Sequence, residues 1–121
     1  MEWMFTEDRP IFQQLYEALA KRIVVGEYPP GGRMPSVREL AAEAGVNPNT
    51  MQRALSQLDE AGLTESNRTA GRTVTTAQER IDAVRNGFAS EAARAYLEAA
   101  RSLGLSREEA IKLLNDEEEM Q

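Results

Sequence analysis

Apolar side chains recur at helical spacing near the beginning of the chain. The stripe that they form consists of Ile11, Leu15, Leu19 and Ile23. Pro10 suits the first turn of a helix, and Gly26 suits the position just beyond a C-terminal end. We therefore expect a helix over residues 10–25, followed by a loop at residues 28–32, where proline and glycine dominate.

Two shorter helices are predicted next, each opened by a capping residue. Ser36 with Glu39 three residues later has the pattern of a capping box, which predicts a helix over residues 36–44. Asn47 is a good N-cap for a third helix, which ends at Gly62. The apolar positions of this third helix are Met51, Ala54, Leu55 and Leu58.

The pattern changes again over the second half of the chain. Residues 63–76 contain five threonines and a turn-like run, which predicts a two-stranded hairpin of about four residues a side. From Ala77 the spacing is helical up to Gly104, and Ser106 with Glu109 forms a second capping box that opens a last helix. The fold class expected is mainly α with a small β-hairpin, in two parts, residues 1–76 and residues 77–121.

Composition narrows the chemistry that the chain can perform. The 121 residues include no cysteine and no histidine, which removes disulfides, thiol nucleophiles, histidine acid–base chemistry and nearly every zinc site. We expect no cofactor and no catalytic metal. No apolar run approaches the roughly 18 to 20 residues of a membrane span, and no signal segment is apparent, so we expect a cytoplasmic protein without a membrane partner.

The net charge of −6 is unevenly distributed. Residues 9–76 carry eight basic and seven acidic side chains, whereas residues 77–121 carry six basic and ten acidic ones. The central segment therefore has enough arginine to meet phosphate groups if the arginines share one face.

The strongest motif spans the second and third predicted helices. Its members are Leu40 and Ala41, then Gly45 and Val46, then Met51 and Ala54. A helix-turn-helix needs a small residue where its helices cross, which Ala41 supplies, and a turn residue that tolerates positive φ, which Gly45 supplies. The spacing predicts a helix-turn-helix, with an ordinary helical hairpin in a bundle as the alternative.

In a helix-turn-helix, the first residues of the second helix face base edges. The polar candidates there are Asn47, Asn49, Thr50, Gln52 and Arg53. Asparagine and glutamine pair with adenine, and arginine pairs with guanine. For Asn47 the alternative is a purely structural cap, for Thr50 a bond to its own backbone, and for Arg53 a surface ion pair.

Arginines outside that helix are candidates for the DNA backbone. Arg38 falls in the first turn of the preceding helix, where Glu39 and Glu43 are out of register for helical ion pairs. Arg68 and Arg72 flank the tip of the predicted hairpin, where a wing can enter the minor groove, although a solvated turn is the alternative. Arg33 is a weaker candidate for a phosphate contact.

The C-terminal helices predict self-association. About 45 residues cannot form an independent core, so a symmetric dimer is the expected way to cover their apolar faces. The candidate interface consists of Ile81, Val84, Phe88, Ala92, Ala95, Ala99, Ile111 and Leu114. One alternative is that these helices fold back onto the preceding domain, and another is that Trp3, Phe88 and Tyr96 line a pocket for a small effector.

Several runs together resemble the GntR family of bacterial transcription regulators. They are Pro10-Ile11-Phe12-Gln13-Gln14-Leu15, Ile23-(x2)-Gly26-Glu27-Tyr28-Pro29-Pro30-Gly31, and Met34-Pro35-Ser36-Val37-Arg38-Glu39-Leu40-Ala41. The run from Gly45-Val46-Asn47-Pro48-Asn49-Thr50 to Met51-Gln52-Arg53-Ala54-Leu55 is similar to the YtrA-type subfamily.

This resemblance implies an N-terminal winged helix-turn-helix, operator binding as a dimer, and usually repression. It also implies a short two-helix C-terminal segment for dimerisation. The family's DNA-contacting positions fall on Arg38, Asn49, Thr50, Gln52 and the wing near Gly71. The wing departs from the family pattern, because the run from Thr69 to Val74 lacks one glycine and the aromatic residue.

The function expected is sequence-specific transcriptional regulation. We predict a homodimeric repressor on a palindromic operator of double-stranded DNA, with half-sites ~10 bp apart. The sequence leaves open whether a small-molecule effector exists and what it is. A winged-helix adaptor for proteins, without DNA binding, is the alternative that the net acidity favours. An enzyme is not expected, because no nucleophile–base pair, phosphate loop or metal cluster is visible.

Overall fold

The computed structural model describes residues 3–119. Its elements are α1 (Ile11–Val24), α2 (Val37–Ala44), α3 (Pro48–Glu60), β1 (Thr64–Asn67), β2 (Gly71–Val74), α4 (Gln78–Ser102) and α5 (Arg107–Glu119). The prediction of a mainly α fold with one small antiparallel hairpin is therefore confirmed. No helix in this range is both long and apolar enough to cross a membrane.

The first compact unit extends to Arg85, and its core is built around α1 and α3. Both helices bury the apolar stripe that the sequence shows, and the hairpin and α2 complete the enclosure. The largest fully buried side chains are Leu15, Leu19, Ile23, Leu40, Met51, Leu55, Leu58 and Leu63. Burial of such side chains is the main source of folding free energy.

The turn between α2 and α3 follows the predicted chemistry closely. Ser36 accepts a hydrogen bond from the Glu39 N–H, and the Glu39 carboxylate accepts one from the Ser36 N–H, so the capping box is present. Gly45 ends α2 with φ at 71°, in the left-handed region that glycine adopts without strain. Asn47 then caps α3 by accepting a hydrogen bond from the Asn49 N–H at 2.7 Å.

The hairpin has a three-residue turn. Asn67 pairs with Gly71, and Asn67 Oδ1 accepts a hydrogen bond from the Ala70 N–H at 2.6 Å. Gly71 closes the turn with φ at 73°, as three-residue hairpin turns require. Backbone hydrogen bonds also join residues 31–34 to β2, which fastens the start of α2 to the hairpin.

A buried arginine joins α1 to α2. Arg22 is only 3% exposed, and its guanidinium donates to the Tyr28 hydroxyl and to Glu43, each at 3.0 Å. Trp3 covers it, with the ring 4.2 Å from the guanidinium carbon and the indole N–H bound to Glu43 at 2.7 Å. Hydrogen bonds to Tyr28 and Glu43 outweigh the opposing effect of burial and raise the pKa of Arg22. The charge therefore stays on Arg22 in the folded protein.

A second compact unit begins at Asn86, within α4. The first turns of α4 belong to the preceding unit, whereas the sequence placed the division at residue 77. Gly104 ends the helix, the Leu105 N–H bonds to the Ala100 carbonyl at 3.1 Å, and the predicted capping box of Ser106 and Glu109 starts α5. We call the described part of this second unit, residues 86–119, the C-terminal unit.

Few apolar side chains of the C-terminal unit are enclosed. Ala100 and Ala110 are buried, and the Tyr96 hydroxyl donates to the Ala110 carbonyl at 2.6 Å. The large apolar side chains that remain exposed there are Leu103, Ile111, Leu113 and Leu114. These helices thus present an apolar face that their own unit does not cover.

Candidate nucleic-acid interface

The start of α3 presents polar side chains to solvent. Asn47, Asn49 and Gln52 are exposed, and Thr50 is half-buried. The Asn47 side-chain oxygen is engaged in the helix cap, which is the structural role that the sequence allowed for it. Asn49 uses only its backbone N–H in that cap, so its side-chain amide is available for a base edge.

The neighbouring residues of α3 differ in what their side chains contact. The Gln52 amide donates to the Ser56 hydroxyl at 3.3 Å, one turn further along the helix. The Arg53 guanidinium lies over the Phe12 ring of α1, 3.6 Å from its centroid. Arg53 is therefore held against α1 by a cation–π contact, and within residues 3–119 it is not in the surface ion pair considered as an alternative.

Arg38 lies in the first turn of α2 and is exposed. Within residues 3–119 its guanidinium is in no ion pair, which agrees with the helical register of Glu39 and Glu43. Five N–H donors on this group are thus free to meet phosphate oxygens.

The wing carries Arg68 at its tip, where the side chain is exposed. Gly71 closes the same turn, and a Cβ atom there would lie 3.7 Å from the Arg33 guanidinium. Arg33 is also exposed, and its backbone forms a β-bridge with Thr73 of β2. Arg33 is thereby a stronger candidate for DNA than its sequence position alone indicated.

Arg72 does not project from the wing, which corrects the expectation that it meets DNA. Its guanidinium donates to both carboxylate oxygens of Asp59, at 3.1 and 3.0 Å. Thr64 donates to Asp59 at 2.5 Å and Ser66 donates at 3.1 Å. Ser66 is the cross-strand partner of Arg72, so three residues on one face of the hairpin converge on a single carboxylate near the end of α3.

The Asp59 cluster fixes the wing relative to the helix that would enter the groove. Partial burial opposes the charge on Asp59, but hydrogen bonds from Arg72 and Thr64 outweigh it and lower the pKa of this carboxyl. Asp59 is therefore ionised at neutral pH and pairs with Arg72 by a two-bond contact, the strongest geometry for this pair. Sequence reasoning missed Asp59, because only the strand register brings its three partners together.

A groove separates the start of α2 from the wing. Its volume is about 530 Å³, and its lining consists of Arg33, Met34, Pro35, Ser36, Val37, Glu39, Gly71 and Arg72. Arg72 of this lining is half-buried and bound to Asp59, so Arg33 is its exposed cation.

The residues predicted at a dimer interface fall into three groups. Ile81 is 3% exposed and packs within its own chain, so its assignment to an interface is wrong. Val84 and Phe88 are half-buried. The others are exposed, namely Ala92, Ala95, Ala99, Ile111 and Leu114.

Two of the three aromatic residues considered for an effector pocket, Trp3 and Tyr96, have a contact inside their own unit. Trp3 stacks on Arg22, and Tyr96 bonds to the Ala110 carbonyl. These contacts give both rings a structural role.

A short helix, a three-residue turn and a second helix with exposed amides stand next to a hairpin tipped by arginine. That arrangement defines a winged helix-turn-helix protein of the DNA-binding class. Comparison with known proteins gives the same answer. The profile of the family described as bacterial regulatory proteins, gntR family, matches residues 11–74. The chain belongs to the GntR family.

Two curated relatives carry the comparison further. The HTH-type transcriptional regulator YhcF of Bacillus subtilis is 32% identical over 112 residues, which cover 93% of each chain. The HTH-type transcriptional repressor YtrA of the same organism is 37% identical over 62 residues, 51% of this chain and 48% of that protein. The similarity to the YtrA type that the α2–α3 run suggested is confirmed, and the chain is a DNA-binding transcriptional regulator rather than an enzyme.

A solved structure resembles the whole architecture. A GntR family transcriptional regulator from Listeria monocytogenes superposes with a TM-score of 0.85 at 31% identity, covering 93% of this chain and 98% of that one. The likeness thus includes the C-terminal helices as well as the winged domain.

Proposed function

We propose that this protein is a transcriptional repressor that binds a palindromic operator as a homodimer. The proposal rests on two unengaged side chains: a guanidinium at the start of α2 and an amide at the start of α3. Arg38 has no ion-pair partner in the described chain, and Asn49 keeps its side chain out of the helix cap. One group suits phosphate and the other suits a base edge.

Base reading and backbone binding are assigned to different residues. Asn49, Gln52 and Thr50 face base edges in the major groove, and adenine is the preferred partner of the two amides. Arg38 and Arg68 contact phosphates on either side of that groove, with Arg33 between them. Arg53 and Arg72 act instead by holding α3 and the wing in place, as their contacts with Phe12 and Asp59 support.

The homodimer is supported by the exposed apolar face of the C-terminal unit. Leu114 is 51% exposed and Ile111 is 43% exposed, which is unfavourable for large apolar side chains in one short unit. A second copy with the same face covers both at once through a two-fold axis. The interface that we propose contains Val84, Phe88, Ala92, Ala95, Ala99, Ile111 and Leu114.

Two-fold symmetry has a consequence for the DNA. Two recognition helices related by such an axis read inverted half-sites, separated by about one helical turn of ~10 bp. The repressor role is supported by the similarity to YtrA, which is itself described as a repressor. We propose that occupancy of the operator in the cytoplasm blocks transcription, and that an effector of unknown identity releases it.

Selection from random-sequence duplexes tests the DNA site directly. The full chain is expected to enrich inverted half-sites about one turn apart. Failure to enrich any sequence would favour the adaptor alternative, in which the winged domain binds a protein.

Variants on the selected duplex then separate the two roles by fluorescence anisotropy. Arg38→Gln is expected to weaken specific and random DNA alike and to reduce the salt dependence by about one counterion. Asn49→Ala is expected to lose about 1–3 kcal/mol on the selected site and little on random DNA. Arg80→Gln is the matched control, because Arg80 lies against Gly62, beyond the C-terminal end of α3. An equal loss in all three variants would remove the proposed assignment.

A further inference from the structure

A hollow of about 430 Å³ opens on the surface of the C-terminal unit, beside the last turns of α4 and the first turn of α5. It is lined by Arg94, Leu97, Glu98, Arg101, Leu105, Ser106, Arg107 and Ala110. The volume falls in the usual range of small-molecule sites. None of these residues belongs to the proposed DNA surface or to the predicted dimer interface.

The charge of the hollow is opposite to that of its surroundings. Residues 86–121 contain four basic and eight acidic side chains, a net charge of −4. Three of the four basic side chains line the hollow, and one of the eight acidic ones does. Most of the positive charge of this acidic segment therefore lies around the hollow.

The three guanidinium groups have unused hydrogen-bonding capacity. Arg94 and Arg101 stand four and three residues from Glu98 along α4, spacings at which helical ion pairs form. In the part of the chain that the structure describes, neither of them nor Arg107 is in an ion pair. Since each guanidinium offers five N–H donors, the hollow is rich in donors for an anion.

The rest of the lining is apolar on one side and indicates which kind of ligand would fit beside the anionic group. Leu97 and Leu105 are half-buried, and Ala110 is buried, so one wall is apolar. Ser106 is engaged with Glu109 in the capping box and contributes the start of α5, where the helix dipole favours negative charge. Donors on one side and an apolar wall on the other suit a molecule with an anionic head and a short apolar body.

We propose that this hollow binds a small organic anion. Arg94, Arg101 and Arg107 hold its carboxylate or phosphate group, and Leu97 and Leu105 pack against its apolar part. Such a ligand changes the charge and packing of the unit that carries the proposed dimer interface. Its meaning for regulation rests on the proposed function, whereas the binding itself does not.

Calorimetric titration of the full chain without DNA tests the site. The probes are benzoate and phenyl phosphate, with benzamide and phenol as their neutral counterparts. We expect saturable binding of an anionic probe and none of its neutral counterpart, and the stronger of the two anions distinguishes a carboxylate ligand from a phosphate ligand. No saturable binding of either anion in the millimolar range overturns the proposal.

Variants assign the binding to the hollow. The combined Arg94→Gln, Arg101→Gln and Arg107→Gln variant is expected to weaken binding by about tenfold or more, as loss of charge-assisted hydrogen bonds predicts. Lys112→Gln removes the remaining basic side chain of this segment, which does not line the hollow, and should leave the affinity unchanged. Glu98→Gln removes the one carboxylate and is expected to tighten binding, a gain that misfolding would not produce.

Two further results would contradict an anion site in the hollow. Loss of binding in Arg38→Gln would mean that the probe occupies the DNA surface. A triple arginine variant that dissociates the dimer, with no anion binding by the unaltered protein, would mean that acidic side chains of a second copy fill the hollow. Either result overturns the proposal, and neither bears on the enrichment of operator sequences.

Discussion

The two units of this chain treat their apolar side chains in opposite ways. All eight of the largest fully buried side chains lie in the first compact unit, residues 3–85 as described, which we call the winged unit, where α1, α3 and the hairpin cover one another. In the C-terminal unit the buried apolar residues of the described chain are two alanines, while Leu103, Ile111, Leu113 and Leu114 stay exposed. Helical periodicity marks an apolar face in both units, but it does not say which molecule covers that face.

Polar contacts follow the same division. In the winged unit, Arg22 joins α1 to α2, and Asp59 joins α3 to the hairpin. In the C-terminal unit, the Tyr96 hydroxyl bonded to the Ala110 carbonyl is the corresponding link between helices. The winged unit is therefore held together by contacts among its own residues, whereas the described C-terminal unit has few such contacts.

The largest expected difference between the units concerns their leucines. Leu55→Ala removes a fully buried side chain of α3 and should lower the free energy of unfolding by about 2–5 kcal/mol. Leu103→Ala, at a residue that is 79% exposed, should change it by less than about 0.5 kcal/mol at a concentration where the protein is monomeric. Urea unfolding followed by circular dichroism measures both. Equal losses in the two variants would erase the contrast.

Self-association, in contrast to folding stability, should be more sensitive to changes in the C-terminal unit than to changes in the winged unit. Leu114→Glu places a charge on the exposed face of α5 and is expected to raise the dissociation constant of the dimer by about tenfold or more, since burial of a leucine contributes about 1.5–3 kcal/mol. Analytical ultracentrifugation over a dilution series measures the change. Lys112→Gln, which shifts the net charge by the same one unit at an exposed position of α5, is the control for charge alone.

A dimer that survives Leu114→Glu unchanged would show that the second copy covers a different face. The stability of the winged unit should be the same in both variants, because Leu114 lies outside it.

Local chemistry made most of the winged unit predictable. The capping box at Ser36, the positive φ of Gly45 and the cap at Asn47 were each expected from residue type and spacing, and each is present. These features depend on atoms a few residues apart, so the sequence contains their cause. The helix bounds follow from them to within one or two residues.

Contacts between distant residues were not predictable in the same way. Arg72 was expected to meet DNA, but the strand register turns it toward Asp59, 13 residues earlier in the chain. Ile81 was expected at an interface, but it packs within the winged unit. In both cases the residue type correctly indicated a charged or an apolar contact. The residues that make this contact depend on the tertiary structure, which a local sequence pattern does not contain.

The Asp59 cluster gives the next prediction. Asp59→Asn keeps the shape of the side chain but removes its charge, and should lower the free energy of unfolding by about 1 kcal/mol, because the pair with Arg72 is partly exposed. Affinity for specific DNA should fall as well, since the wing is no longer fixed relative to α3. Thermal unfolding and anisotropy measure the two effects, and Glu65→Gln, at an exposed position of β1, is the control.

The same substitution has a pH signature. Because the pKa of Asp59 lies below its ordinary value, 3.8, its contribution to stability is complete above that pH and is lost as the pH falls through the lowered pKa. Asp59→Asn should therefore lose stability at neutral pH and converge with the unaltered protein in acid. A constant difference between the two proteins at every pH would contradict the ionic role of Asp59.

Both units contain the same capping box, so the loss of its serine allows the closest comparison between them. The expected effects on stability are the smallest of those considered. The hydrogen bond from the backbone N–H of the glutamate to the serine hydroxyl is 3.1 Å long at Ser36 and at Ser106. Loss of an N-cap serine typically costs about 1 kcal/mol.

Ser36→Ala should show this loss in global unfolding, because α2 is packed into the core through Leu40 and Ala41. Ser106→Ala should instead speed amide hydrogen exchange in α5 alone, since little of α5 is buried and its opening need not unfold the rest. If Ser106→Ala lowers global stability as much as Ser36→Ala does, the C-terminal unit folds together with the winged unit, and the contrast drawn from burial is wrong.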